Sequence, residues 1–115
     1  MTRLAALFLI AACLGFAQIE TGTIVGTIQD STGGVVPNAN VSVKSVATGI
    51  DSKLVSNDAG RYQAPPLKPG DYEVTVAASG FKTAMAKVRV EVNQRVAADF
   101  QLDIGSASET VTVVA

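Results

Sequence analysis

Asn57-Asp58-Ala59-Gly60-Arg61-Tyr62, followed four residues later by Leu67-Lys68-Pro69-Gly70-Asp71-Tyr72, is a pair of turns that each hand a tyrosine to a strand. In the first, Asn57 and Asp58 can bond their own backbone and Gly60 can take positive φ. In the second, Pro69 presets φ and Gly70 opens the left-handed region. Two such turns inside alternating sequence predict β-structure on both sides of them.

The flanks carry that alternation. Thr23 to Gln29 puts Ile24, Gly26 and Ile28 on one face, and Asn40 to Val46 points Val41 and Val43 inward. Lys53 to Ser56 reads as a short strand. Arg61 to Ala64 is stopped by Pro65-Pro66, which cannot donate to a ladder, so this piece belongs at a sheet edge. Asp71 to Ala78 sets Tyr72, Val74, Val76 and Ala78 inward. Lys82 to Val92 does so with Ala84, Ala86, Val88, Val90 and Val92, and Val96 to Ile104 with Val96, Ala98, Phe100, Leu102 and Ile104. Period-two alternation of this extent argues half-buried antiparallel strands. About seven short strands separated by turns every 8–12 residues give an all-β, Greek-key-type sandwich.

The first residues read differently. Arg3 precedes an apolar run from Leu4 to Leu14, and Gly15-Phe16-Ala17 places small residues where a signal peptidase reads. This is the layout of a secretory signal peptide over residues 1–17, too short to span a membrane comfortably. Ile10-Ala11-Ala12-Cys13 offers lipidation at Cys13 as the alternative to cleavage after Ala17. The domain is expected over residues 18–104, with 105–115 a linker and the start of an incomplete β-segment. Glu109 to Ala115 is β-prone without an obvious partner, as if a downstream domain were missing. With the leader removed the chain holds no cysteine, so an exported domain must stand on its core alone.

Composition excludes several chemistries. Of 115 residues, nine are basic and ten acidic, and loss of Arg3 with the leader leaves eight against ten. The basic residues form no stripe, so no nucleic-acid partner is expected. There is no histidine and no tryptophan. An imidazole-based triad is therefore impossible, as is a zinc site built from His or Cys. Asp51, Asn57 and Asp58 are the best local oxygen cluster, but their spacing matches no calcium loop. No catalytic residue, metal or cofactor is assigned, and the chain is expected not to be an enzyme. Glycan recognition usually needs an aromatic platform. Alternation sends Tyr72 and Phe100 inward, which leaves Tyr62 as the candidate ligand contact.

Gly22-Thr23-Ile24-Val25-Gly26-Thr27-Ile28-Gln29-Asp30, Pro37-Asn38-Ala39-Asn40-Val41-Ser42-Val43, the two turn motifs, and Gly80-Phe81 occur in one order. Together they resemble the carboxypeptidase regulatory-like domain, from about Thr21 to Leu102. The resemblance implies a transthyretin-like (prealbumin-like) sandwich; peptidase activity does not carry over, since no histidine is available for zinc. The wider layout, a leader, this domain, then Ser108-Glu109-Thr110-Val111-Thr112-Val113-Val114, resembles the N-terminus of TonB-dependent-receptor-like outer-membrane proteins. It implies an exported accessory or interaction domain in the periplasm or at the outer membrane or cell surface of a bacterium. The expected partner is a protein, an outer-membrane receptor or cell-envelope component, met through strand edges. A stand-alone structural or adhesive module, or an accessory domain binding peptide or carbohydrate, is the alternative. Nothing of this length can itself form a pore.

The face assignment for Lys82 to Val92 has a direct consequence. Val90→Asp sets a charge among Val74, Val76 and Val88, and a loss of roughly several kcal/mol is expected for an unpaired buried charge. Wild-type melting of this variant would overturn the assignment.

Overall fold

Alternation becomes strand in the computed structural model, which describes residues 20–113; the leader over 1–17, Cys13 and Val114 lie outside the described residues. The strands are β1 (Thr23–Asp30), β2 (Asn40–Ser45), β3 (Asp51–Val55), β4 (Arg61–Gln63), β5 (Gly70–Ala77), β6 (Thr83–Val90), β7 (Arg95–Ala97), β8 (Phe100–Leu102) and β9 (Thr110–Val113). They form two sheets. The small sheet has β4 and β7 on either side of β1, with β8 continuing β7 along β1; the large sheet runs β3-β2-β5-β6-β9.

The inner faces are those that alternation selects. Ile24 and Ile28 of β1 meet Val41, Val43, Val74, Val76, Val90 and Leu102, none more than 1% exposed. Burial of side chains this size stabilises by about 1.5–3 kcal/mol each, the main favourable contribution to folding. The all-β sandwich is the expected one, but its details differ in instructive ways.

Val96 to Ile104 is two strands rather than one. β7 and β8 both run parallel to β1 in one continuous register, Val25 opposite Ala97 and Ile28 opposite Phe100, with the residue pairing interrupted at Ala98-Asp99. Parallel pairing was not anticipated here, nor between β6 and β9. Its cause is the path of the chain. From β6 in the large sheet the chain crosses to the small sheet, so β7 arrives beside β1 pointing the same way. Val92 and Ile104, expected inward, are 39% and 78% exposed because β6 and β8 end before them.

Residues Glu109 onward also differ from expectation. Instead of lacking a partner, β9 pairs with β6, Thr83 opposite Thr110 and Ala86 opposite Val113. The segment before it is tied down as well. Gly105 N–H donates to the Gly80 carbonyl at 3.1 Å, and the Thr83 hydroxyl to the Ala107 carbonyl at 2.7 Å.

Two buried features fix the loops. Ser56, the buried polar residue of the described core, donates its hydroxyl to the Val36 carbonyl at 2.8 Å and accepts from Ala39 N–H at 2.9 Å. It thereby staples the approach to β2 onto the end of β3. Gly60 closes the Asn57 turn at φ +71°, and a Cβ there would lie 2.6 Å from the Ile28 carbonyl oxygen. Only glycine suits both demands.

Candidate functional site

Tyr62 sits opposite Gly26 in the β1–β4 ladder. Its ring lies in the core at 4% exposure, and its hydroxyl crosses β1 to donate to the Ala98 carbonyl. Gly26 permits the crossing, since a Cβ there would lie 2.0 Å from the Ala98 oxygen and 2.6 Å from the tyrosine hydroxyl. In an unbroken parallel ladder the Thr27 N–H would donate to that same carbonyl. Here it donates to Asp99 Oδ1 at 2.9 Å, while Ala98 N–H keeps its ladder bond to Val25 at 2.8 Å. One ladder bond is thus exchanged for two side-chain bonds, which is why the strand breaks at Ala98-Asp99. Burial, with the nearby Asp99 charge adding to it, pushes the Tyr62 phenol well above its ordinary range, so it stays a donor. The structure therefore places the candidate ligand contact inside a structural girder with its hydroxyl committed.

The other residues singled out from sequence are occupied too. Tyr72 is buried on β5 and donates to the Lys68 carbonyl at 2.5 Å. A sandwich tyrosine bonding backbone a few residues upstream is a tyrosine corner, and it fixes the Pro69 turn. Asp51 Oδ1 accepts from the Ser42 hydroxyl at 2.6 Å. Asn57 Oδ1 accepts from the N–H groups of Ala59 and Arg61, both at 3.0 Å. Asp71 lies on β5 rather than in the turn and pairs with Arg89 at 3.3 Å.

What sequence reading missed is the outer face of the small sheet. Three rungs lie side by side: Thr23 beside Arg95; Val25 between Gln63 and Ala97; Thr27 between Arg61 and Asp99. All of these but Thr23 line a groove of about 390 Å³. A second groove of about 540 Å³ shares Thr27, Arg61 and Asp99 and extends to Gln29 and Gln101. The outward positions were legible one by one, but their meeting depends on parallel pairing across some seventy residues of sequence.

Four sheet edges also face outward, that of β7 and β8 carrying Arg95. β4 is stopped by Pro65-Pro66, β3 carries the exposed Lys53, and β9, Thr-Val-Thr-Val, carries neither charge nor proline.

The family model of the carboxypeptidase regulatory-like domain matches residues 23–103. No curated protein matches the chain. Among solved structures, catechol 1,2-dioxygenase of Acinetobacter radioresistens is similar with a TM-score of 0.61 and 11% identity, over 85% of this chain and 58% of that one. The 3-chlorocatechol 1,2-dioxygenase of Rhodococcus opacus gives 0.60 and 8%, over 76% and 62%. The Bacillus anthracis TIE protein gives 0.65 and 15%, over 74% of this chain and 17% of that one. The chain thus spans under two thirds of each of these proteins. At such identities the likeness is one of fold.

That likeness corrects one expectation. The sandwich was read as belonging to a protein without catalytic activity, yet the same architecture is carried by dioxygenases. The fold therefore gives no ground for excluding catalysis, and the assignment of the chain to the non-enzymes is withdrawn.

The girder predicts two graded losses. Tyr62→Phe removes the donor to a buried carbonyl and is expected to cost about 1–3 kcal/mol in chemical denaturation. Gly26→Ala, which forces backbone apart, should cost more than that. Equal stability of Gly26→Ala and wild type would show that Ala98 can move away freely.

Proposed function

The chain belongs to the carboxypeptidase regulatory-like domain family, and from that premise we propose that it is an exported interaction module. We place it at the periplasmic N-terminus of a TonB-dependent-receptor-like outer-membrane protein, with a protein partner of the cell envelope. The observation that carries the reading is the unguarded edge of β9. Sheet edges are normally blunted by proline, by charge or by cover. β4 has its prolines, β3 its lysine and β7 its arginine, whereas β9 exposes Thr110, Val111 and Thr112 with no such guard among the described residues. An edge of that kind is suited to a partner that adds a strand, main-chain bonds supplying affinity and alternate side chains specificity. The leader-like run from Leu4 to Leu14 supports export.

Two measurements test this. The reading frame downstream of the Ala115 codon is expected to continue, in frame or after a frameshift, into a plug and a transmembrane barrel. A stop followed by unrelated sequence would instead favour a stand-alone surface module. Fractionation of the source cells is expected to find the protein in the periplasm or outer membrane; recovery in the cytoplasm would overturn the proposal.

A further inference from the structure

The outer face of the small sheet holds two arginines that form no ion pair among the described residues. The ion pairs of the described residues, Lys82–Glu109, Arg89–Asp71 and Arg89–Glu91, leave out Arg61 and Arg95. Both are exposed, and both line the same 390 Å³ groove. Register places them at opposite corners of it, Arg61 opposite Thr27 on one side of β1 and Arg95 opposite Thr23 on the other. Four residues of strand separate those rungs by about 13 Å, and two interstrand spacings separate the flanking strands by about 10 Å. Between the arginines the floor is uncharged, formed by Val25, Ala97 and the amide of Gln63.

We infer that this groove binds an extended acidic peptide, with Arg61 and Arg95 each holding a carboxylate. Guanidinium presents a planar fork of donors matched to a carboxylate. The diagonal between those corners is about 16 Å. Acidic side chains four residues apart on one face of an extended peptide are about 13 Å apart. The reach of the long arginine side chains covers the difference, so one peptide can meet both corners. Its intervening side chains lie on Val25 and Ala97. An acidic glycan fits less well because the groove offers no exposed ring: Tyr62 and Phe100 are 4% and 3% exposed. Nucleic acid fits less well because two arginines are no phosphate-tracking stripe and Asp99 stands at the rim.

Asp99 makes the inference specific. Its Oδ1 caps Thr27 N–H, and an asparagine can keep that bond while losing the charge. Asp99 therefore opposes an acidic ligand electrostatically without being needed by it.

This inference is independent of the strand-edge contact at β9. The test is fluorescence anisotropy on the full chain, with a labelled eight-residue Glu-Thr repeat as probe and the matching Gln-Thr repeat as control. The Glu peptide is expected to bind, the Gln peptide not, and binding should weaken with added salt. Arg61→Gln and Arg95→Gln should each weaken binding about two- to fivefold, as exposed pairs allow. Asp99→Asn should tighten it, and Lys53→Gln, on β3 of the other sheet, should leave it unchanged. Melting curves of the exposed-site variants should match wild type. Equal binding of the two peptides, undiminished binding by the Arg61→Gln/Arg95→Gln double variant, no binding at all, or preference for an oligouronate over the Glu peptide would each overturn the proposal.

Discussion

The turn of one carbonyl organises the small sheet. Ala98 aims its oxygen across Gly26 at the Tyr62 hydroxyl, and Asp99 supplies the acceptor that Thr27 N–H thereby lacks. Each part requires the others. Without glycine at 26 the oxygen has no room, and without the tyrosine it would be a buried acceptor short of a donor. Without a side-chain oxygen at position 99 a central-strand N–H would lose its partner, and backbone groups left without partners are costly. The exchange joins β4, β1 and the β7–β8 line through side chains as well as ladders. It also decides which groups remain outside. The break turns Asp99 onto the outer face, across Thr27 from Arg61, so the interaction that closes the core also shapes the polar groove above it.

The sheets divide the work because the chain keeps changing between them. β1 lies in the small sheet, β2 and β3 in the large, β4 in the small, β5 and β6 in the large, and β7 and β8 in the small again. Sequence neighbours such as β2–β3 and β5–β6 pair antiparallel, as short connections require, while β1 finds β7 and β8 only after the chain has changed sheets four times. Such pairings bring high loop-closure entropy, and topologies rich in them fold slowly. Within the large sheet the β2–β3 and β5–β6 hairpins are local and can form early, while β2–β5 and β6–β9 close longer loops.

That division explains what was legible in the sequence. Ile24, Val41, Val74 and Val90 are buried as period two demands, because side-chain direction along a strand is a local property. The edge position of β4 followed from Pro65-Pro66, another local property. Tyr62 was a different matter. Alternation could place it on a strand, but not say that its hydroxyl would be spent on a carbonyl thirty-six residues away. Similarly, Glu109 to Val113 looked solitary because its partner, β6, runs parallel to it and lies behind a linker. The groove of Arg61 and Arg95 escaped for the same reason. Gly26 was read correctly as inward, but the reason for glycine there exists only once Ala98 is in place.

The architecture also constrains where any function can sit. With Ile24, Ile28, Phe100 and Leu102 buried against the large sheet, the interior has no room for a ligand without loss of the contacts that stabilise it. Chemistry must then be placed on an outer face, at an edge, or in an added segment. Solved structures with this sandwich are longer than the match itself, the chain covering 58% of one dioxygenase and 17% of the TIE protein. A scaffold whose core is closed by a self-contained exchange of hydrogen bonds tolerates such additions, because outward residues and edges can change while Gly26, Tyr62, Ala98 and Asp99 keep their places. Family membership accordingly speaks for the scaffold, and function must be argued from what the described residues set outward: a β9 edge without proline or charge, and on the opposite sheet two arginines outside the ion pairs of those residues.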